Sequence, residues 1–146
     1  MDQKHAKMLL VVVAKAPVPG EVKTRLIPHF SPEEAAALYR CFLQDRMKEI
    51  GKLIGIDLAV AFTPADADDT FARITRNGFK LFAQKGEDLG QRLNNIFLAK
   101  FGQGYDAISV IDSDTPDLSV SIVKQSFQTL MSERVDAVFG PCDDGG

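Results

Sequence analysis

The sequence predicts an α/β fold in which a mostly parallel sheet is flanked by helices. Short apolar segments rich in β-branched residues alternate along the chain with segments of helical periodicity. The first of them, Met8–Ala14, is continuously apolar, which is typical of a strand buried on both faces. No repeat or linker interrupts the pattern, and 146 residues suit one domain. We therefore expect a single domain over residues 1–146.

Five segments carry the strand signal, a short apolar run bounded by turn residues. They are Met8–Ala14, Asp57–Thr63, Phe79–Ala83, Ala107–Ile111 and Val135–Phe139. Because helical segments separate them, we expect parallel pairing through right-handed crossovers. In such sheets ligands bind beyond the carboxyl ends of the strands, so unusual residues at those positions are the candidates for function.

The clearest helix begins at Ser31, which can cap it, with Pro32 at the first helical position and Glu34 completing a capping box. Gly51 is the predicted end. The inward side at helical spacing consists of Ala35, Tyr39, Phe42, Arg46 with Met47, and Ile50.

Three further helices are predicted from the same kind of spacing. A short one covers 66–76, a second is capped by Asp88, and a third is opened by Thr115 and Pro116. The inward residues of the second are Leu89, Leu93, Ile96, Phe97 and Phe101, and those of the third are Leu118, Ile122, Phe127 and Leu130.

Composition narrows the classes of function. A formal net charge of −3 argues against a nucleic-acid-binding polycation, so any anion site must be local. The apolar run at 8–14 is far shorter than the ~20 residues of a membrane helix, and no secretory signal is expected. Two cysteines, Cys41 and Cys142, fit free thiols in a reducing compartment. We expect a cytoplasmic protein.

A basic loop, AKAPVPGEVKTR, follows the first predicted strand. Its backbone N–H groups and the side chains of Lys15, Lys23 and Arg25 are suited to binding phosphate. Pro17, Pro19 and Gly20 are expected to shape the backbone. The alternative, equally acceptable from the loop alone, is a solvated turn whose basic residues pair with surface carboxylates.

Two acidic residues, Asp112 and Asp114, follow the apolar run 107–111. Carboxylates two positions apart at a strand end can reach one hard cation, Mg²⁺ or Mn²⁺, which keeps water and substrate phosphate as its other ligands. The alternative is that Asp114 or Thr115 only caps the next helix, which leaves Asp112 unexplained.

Two weaker signals lie at other predicted loops. Asp143 and Asp144 form a second acidic pair after the fifth predicted strand, although Asp-Gly is also a common turn. The stretch QKGEDLGQRL can border a ligand at a helix N-terminus or can simply be a capped helix entrance. Its candidate residues are Gln84, Gly86, Asp88, Gly90 and Arg92. Positive charge at one strand end and carboxylates at two others suit a nucleotide diphosphate or triphosphate with a bound metal.

The sequence also resembles a known family. AKAPVPGEVKTRL, SPEEAAAL, GEDLGQRL, VIDSDTPDL and FGPCDDGG occur, in this order, over nearly the whole chain. They resemble the GT-A-like glycosyltransferases of the DUF2064 type, within the nucleotide-diphospho-sugar transferase superfamily. KTRL and DSDTPDL are the most specific parts. The basic loop and the SPEE helix are also similar to those of 2-phospholactate guanylyltransferases, a nucleotidyltransferase branch of that fold.

The resemblance implies a Rossmann-like GT-A fold and assigns roles by position. Lys15, Lys23 and Arg25 would contact phosphates, and residues 84–92 would lie near the base or sugar. Asp112 and Asp114 would match a metal-binding DxD-like element, and Asp144 a second acidic position near the metal or acceptor. Lys23, Arg25 and Asp144 are thus the expected catalytic residues. Family members usually continue past DDGG, so the C-terminal part is expected to be missing here, unless the protein is naturally short and another subunit supplies the cover.

Together these observations predict a metal-dependent transferase that uses a nucleotide-activated donor, with Mg²⁺ or Mn²⁺ as cofactor. Glycosyl transfer from a nucleotide sugar is the first expectation. Nucleotidyl transfer from a nucleoside triphosphate is the alternative, because basic residues neutralise charge on an attacked phosphate. A non-catalytic nucleotide-binding module is the third. The expected partner is a small nucleotide, with no nucleic acid and no membrane span, and a homo-oligomer is allowed.

Overall fold

A four-stranded, all-parallel sheet forms the centre of the computed structural model, which describes residues 6–132 and 134–143. The strands are β1 (Met8–Lys15), β2 (Asp57–Thr63), β3 (Lys80–Ala83) and β4 (Ala107–Asp112). Their spatial order is β3-β2-β1-β4, and every neighbouring pair is parallel. The prediction of a parallel α/β sheet flanked by helices is confirmed.

Strand β1 lies in the interior of the sheet, between β2 and β4. The residues from Leu9 to Val12 have no exposed surface, as the continuous apolar run predicted. The register pairs Lys15 with Thr63 of β2 and Val13 with Asp112 of β4. The carboxyl ends of these three strands therefore meet at one edge of the sheet, which we call the carboxyl edge.

Helices cover both faces of the sheet. They are α1 (Pro32–Ile50), α2 (Asp68–Thr75), α3 (Leu89–Gly102) and α4 (Val120–Ser132), with a 3-10 turn at Thr24–Leu26. Successive residues of β1 point to opposite faces. Leu10 and Val12 join a core cluster with α1, α2 and α4, whereas Leu9 and Val11 pack in a second cluster that includes Ile96 of α3.

The start of α1 confirms the predicted capping box. The backbone N–H of Glu34 donates to Ser31 Oγ at 3.1 Å, and the Ser31 N–H donates to Glu34 Oε2 at 2.8 Å. Pro32 occupies the first turn, where its missing N–H costs nothing, and Gly51 caps the far end. This firm placement of α1 matters because Tyr39, on its inner side, contacts the carboxyl edge.

The predicted helix start at Thr115 and Pro116 is wrong, because α4 begins at Val120. The Asp112 carboxylate accepts hydrogen bonds from the Thr115 N–H and hydroxyl, and the Leu118 N–H donates to Thr115 O. These bonds make a turn before the helix. Ser119 then supplies the cap, since its Oγ accepts from the Ile122 N–H at 3.3 Å.

The predicted fifth strand at 135–139 is also wrong, because those residues form no strand. Phe139 is 88% exposed, and Val135 and Val138 are both more than a third exposed. A strand needs the N–H and C=O groups of a neighbour, and within 6–132 and 134–143 the segment pairs with nothing in the sheet. An apolar run alone does not supply that partner.

Among the described residues, no helix is long and apolar enough to cross a bilayer.

Candidate functional site at the carboxyl edge

The carboxyl edge brings together two of the sequence-predicted side chains, Lys23 and Asp114. Lys23 Nζ lies 2.7 Å from Asp114 Oδ2, although the two residues are 91 positions apart. Their side chains are 23% and 44% exposed, so both are reachable from solvent. The predicted phosphate-binding loop and the predicted metal-binding loop are therefore in direct contact.

The backbone at Lys23 lies in the left-handed region, with φ 50°. Residues with a Cβ adopt this region at some cost, so the surrounding structure must hold it. The next residues, Thr24–Leu26, form the 3-10 turn that carries Arg25, whose side chain is exposed. This turn directs Lys23 across the edge to Asp114.

The Asp112 carboxylate is ordered by its own loop. Its Oδ1 accepts the Thr115 N–H at 3.1 Å, and its Oδ2 accepts the Thr115 hydroxyl at 2.6 Å. Each carboxylate oxygen has a second lone pair, so the capacity to bind a cation remains. Asp112 and Asp114 thus offer hard oxygen donors of the kind that Mg²⁺ and Mn²⁺ prefer.

The donor set fits a cation that shares its coordination with water and phosphate. Within 6–132 and 134–143, no three His, Cys, Asp or Glu side chains come together as a closed metal cage. Mg²⁺ is commonly held by one or two carboxylates together with substrate phosphates, which matches the pair at Asp112 and Asp114. Asp144 lies outside the described residues.

The remaining residues of the basic loop stabilise the loop itself. Lys15 Nζ donates to the carbonyl oxygen of Glu21 at 3.0 Å, which closes the turn. Pro17 is buried, and Gly20 has φ 80°, a conformation that favours glycine. Lys15 therefore shapes the loop, whereas Lys23 lies against Asp114.

The loop at 84–92 is a preformed helix entrance. Gln84 Nε2 donates to Ala61 O at 2.8 Å and to Ala14 O at 3.4 Å, which fastens the loop across the ends of β1 and β2. Asp88 Oδ1 accepts the Gln91 N–H at 2.8 Å and so caps α3, as predicted. The capped-entrance interpretation is what these contacts support most directly.

Within this loop, position 86 requires glycine, because of both its backbone conformation and the lack of room for a side chain. Its φ is 136°, and a Cβ placed there would lie 2.8 Å from the Arg92 backbone nitrogen. Arg92 Nε donates back to the Gly86 carbonyl at 2.9 Å. Gly90, one turn further, has no such restriction on φ. The loop therefore begins beside the carboxyl ends of β1 and β2 and leads into α3.

Two important residues of this edge, Tyr39 and Arg46, were predicted only as inward positions of α1. The Lys15 N–H donates to the Tyr39 hydroxyl at 3.1 Å, and that hydroxyl lies 3.0 Å from Ser113 Oγ. Burial raises the pKa of Tyr39, so its hydroxyl stays protonated at neutral pH. The signal available in the sequence was a polar group on an apolar helix face, which must find a partner.

The second of these residues, Arg46, is 3% exposed. Its Nη1 donates to the carbonyl oxygen of Leu118 at 2.6 Å, and its Nη2 donates to that of Thr115. Glu49 lies 3.6 Å from Nη1 and is half-exposed. The guanidinium therefore ties α1 to the turn that follows Asp112 and Asp114.

Two open grooves lie away from this chemistry. One, of about 450 Å³, is at the amino ends of the strands, where Lys7, Gly55, Asp57 and Asp106 line it. The other, of about 540 Å³, lies between the end of α1 and residues 116–120. Neither is lined by Lys23, Asp112 or Asp114. We place the candidate site by its converging charges rather than by concavity, because a phosphate–metal ligand is recognised by charge and hydrogen bonding.

The fold is that of the nucleotide-diphospho-sugar transferases. The chain is similar to a solved structure of a "putative nucleotide-diphospho-sugar transferase" from Desulfovibrio desulfuricans G20, with 34% sequence identity and a TM-score of 0.87. The match covers 96% of this chain and 60% of that one, so the present chain spans about three fifths of the neighbour's length. None of the curated proteins matches the chain significantly.

Residues 46–146 match the model of a family described as "Uncharacterized protein conserved in bacteria (DUF2064)". Because this match spans more than half of the sequence, the chain belongs to the DUF2064 family. The predicted family resemblance and the predicted fold are both confirmed.

Proposed function

We propose that the chain binds a nucleotide together with a divalent cation at the carboxyl edge and forms the donor-binding part of a transferase. The observation that supports this most directly is the contact between Lys23 and Asp114. It brings a side chain suited to binding phosphate next to one suited to binding a metal ion. Its position at the ends of parallel strands is the usual ligand position in such sheets. The similarity to a nucleotide-diphospho-sugar transferase supports a nucleotide sugar as donor.

In this proposal, Asp112 and Asp114 hold Mg²⁺ or Mn²⁺, which supplies charge neutralisation on the diphosphate when bound. Lys23 leaves its pairing with Asp114 and contacts phosphate oxygens, joined by the exposed Arg25 and, once its bond to the Glu21 carbonyl opens, by Lys15. Residues 84–92 lie on the base or sugar side. In glycosyl transfer the acceptor hydroxyl oxygen would bond to the anomeric carbon of the sugar as the bond from that carbon to the phosphate oxygen breaks. The nucleoside diphosphate leaves, and a carboxylate takes the acceptor's proton, the role we assign to Asp144.

Nucleotidyl transfer is the second candidate, and one observation favours it. Lys23 caps the 3-10 turn that carries the exposed Arg25, so the two basic residues lie two positions apart and are close enough in sequence to serve the same phosphate group. Charge develops on the attacked α-phosphate in that chemistry, and basic side chains stabilise it. A non-catalytic nucleotide-binding module would instead bind nucleotide with little dependence on metal.

A thermal-shift panel of nucleoside triphosphates and nucleotide sugars, with Mn²⁺ or with EDTA, tests the proposal. A ligand at 100 times its Kd stabilises a protein by about 2.7 kcal/mol, which raises Tm by roughly 5–10 °C at this size. We expect such a rise with nucleotide and Mn²⁺ together. A larger rise with nucleotide sugars favours glycosyl transfer, and a larger rise with triphosphates favours nucleotidyl transfer.

The opposite edge of the sheet, where the amino ends of β2 and β3 lie and which we call the amino edge, offers a matched control for this panel. Lys80 Nζ lies 2.7 Å from Asp57 Oδ2, the same separation as between Lys23 and Asp114. Asp114→Asn and Lys23→Met should reduce the ligand-induced rise, whereas Asp57→Asn and Lys80→Met should keep it. If no nucleotide raises the Tm of the wild-type protein, or if the two edges respond alike, the proposal is overturned.

The cellular setting stays part of the proposal. Cys41 and Cys142 are free and exposed, which suits a reducing compartment such as the cytoplasm. A small nucleotide is the proposed partner. A homo-oligomer is compatible with this picture, and light scattering of the purified chain would determine its mass.

A further inference from the structure

We propose that Tyr39 and Arg46 of α1 are positioning residues that aim Asp112 and Asp114 at the bound cation. The inference rests on the proposed function, because it concerns the same site. It assigns to α1 a task beyond filling the core, namely holding the β4–α4 loop, which we define as residues 113–119. Neither side chain touches the ligand in this proposal.

Alternation along the chain provides the first argument. Ser113 stands between the two aspartates and is only 7% exposed, whereas Asp112 and Asp114 are exposed. The Tyr39 hydroxyl holds Ser113 Oγ at 3.0 Å on the inner side. Residues 113 and 114 form a bend directly after β4, in which the Ser113 side chain is buried and the carboxylates on either side of it face solvent. Anchoring Ser113 inward therefore turns both carboxylates outward.

The same hydroxyl connects the two halves of the site. It accepts the backbone N–H of Lys15 at 3.1 Å, at the point where the basic loop begins. Tyr39 itself is 4% exposed, so these bonds form away from competing water. One buried oxygen thus links the start of the phosphate-binding loop to the residue between the metal-binding aspartates.

Arg46 fixes the far end of the β4–α4 loop. It lies seven positions after Tyr39, two helical turns along the same face of α1. Its guanidinium donates to the carbonyl oxygens of Thr115 and Leu118, and Thr115 in turn holds the Asp112 carboxylate. The loop is consequently fastened at three backbone or side-chain points by a single rigid helix.

Tyr39→Phe tests the proposal, because it removes one oxygen and leaves the ring in the core. The matched control is Tyr105→Phe, which affects the other tyrosine of the chain. Tyr105 is 5% exposed, and its hydroxyl bonds Asp57 and Lys80 at the opposite edge. Ser113→Ala removes the same bond from its other side and serves if Tyr39→Phe folds poorly.

Two measurements separate positioning from general stability. The first is nucleotide affinity with Mn²⁺ and with EDTA, by titration calorimetry on fully folded protein. Loss of an outer-shell partner typically costs 10–100-fold in metal affinity. We expect Tyr39→Phe to weaken the Mn²⁺-dependent affinity about tenfold. Affinity in EDTA should change little, and Tyr105→Phe should alter neither value.

The second measurement is amide hydrogen exchange, which needs no ligand. Tyr39→Phe should speed exchange in residues 113–118 selectively, while Tyr105→Phe should leave that segment unchanged. If Tyr39→Phe and Tyr105→Phe behave alike in both measurements while the wild type binds nucleotide, the positioning role is overturned and the proposed function stands. If the wild type binds no nucleotide with Mn²⁺, both proposals are overturned.

Discussion

The two edges of the sheet hold the same three kinds of side chain in different arrangements. At the amino edge, Asp57 and Lys80 are the first residues of β2 and β3 and lie beside Tyr105. At the carboxyl edge, the corresponding lysine and aspartate are Lys23 and Asp114. Both Lys–Asp separations are 2.7 Å. Distance alone therefore does not distinguish the two edges.

At the amino edge, all three side chains bond one another. Tyr105 donates to Asp57 Oδ2 at 2.6 Å and accepts from Lys80 Nζ at 2.6 Å. The hydrogen bond from Lys80, helped by that from Tyr105, lowers the pKa of Asp57. The bond to Asp57 and then that to Tyr105 raise the pKa of Lys80. Each charge has a fixed partner within the sheet.

The carboxyl edge differs in its hydrogen bonding, because its tyrosine does not bond the lysine and aspartate. Its lysine and aspartate belong to loops rather than strands, and Tyr39 bonds the backbone and Ser113 instead of the ion pair. Functional side chains commonly occupy such loops on a rigid scaffold. On our proposal, therefore, the same residue types stabilise the fold where strands fix them and serve a ligand where loops carry them.

The largest effect on stability should come from Arg46→Met. The guanidinium is buried and donates to two carbonyl oxygens, and hydrogen bonds from charged groups contribute about 1.5–3 kcal/mol each. Methionine keeps the apolar stem but satisfies neither carbonyl. Because removal of the buried charge offsets part of the loss, we expect a net destabilisation of about 2 kcal/mol in urea unfolding.

Arg40→Met is the control for that measurement. Arg40 lies on the same helix and is exposed, and surface substitutions of this kind usually change stability by about 0.5 kcal/mol or less. Equal stability losses in the two variants would show that the Arg46 contacts do not fasten the carboxyl edge.

A smaller effect is expected from Asp57→Asn at the amino edge. The Asp57 side chain is 44% exposed, so solvent screens its ion pair, and we expect a loss of about 1 kcal/mol or less at pH 7. The folded-state pKa of Asp57 is lowered, so its stabilisation is present above the unfolded value of about 3.9. It is lost as pH falls through the folded value.

Urea unfolding of the wild type and of Asp57→Asn, measured from pH 7 down into the acid range, tests this pH dependence directly. The two stability curves should run apart at neutral pH and converge below pH 4. Asp45→Asn, an exposed carboxylate on α1, should track the wild type throughout. A difference in the free energy of unfolding between wild type and Asp57→Asn that persists unchanged in acid would contradict our account. It would show that the stabilisation does not come from the ionised Asp57 carboxylate.

Sequence patterns predicted the buried strands and capped helix starts well. The run at 57–63 became β2 unchanged, and Ser31 with Glu34 formed the expected capping box, because both depend on nearby residues. Thr115-Pro116 failed as a helix start because Asp112 binds both the N–H and the hydroxyl of Thr115, and residues 115–118 close a turn instead. The 135–139 run failed because a strand depends on a distant partner.

The sequence predicted where the candidate site lies, but not the buried polar residues that hold its loops in place. Parallel strands bring their carboxyl ends together, which explains why Lys23 and Asp114 meet across 91 positions. Tyr39 and Arg46 were predicted only as core positions, because helical spacing shows which face of a helix is buried. It does not show which distant carbonyl or hydroxyl group will bond a polar side chain on that face. The predicted uses of Lys23, Arg25, Asp112 and Asp114 stay predictions.

Paramagnetic broadening of amide NMR signals by Mn²⁺ with a nucleotide tests the central claim most directly. The two edges are separated by the length of β1, at about 3.3 Å per residue, so a single bound ion affects them unequally. The account predicts strong, saturable broadening at residues 112–115 and 23–25, with little at 57, 80 and 105. Broadening centred on the amino edge, or none that saturates anywhere, would contradict it.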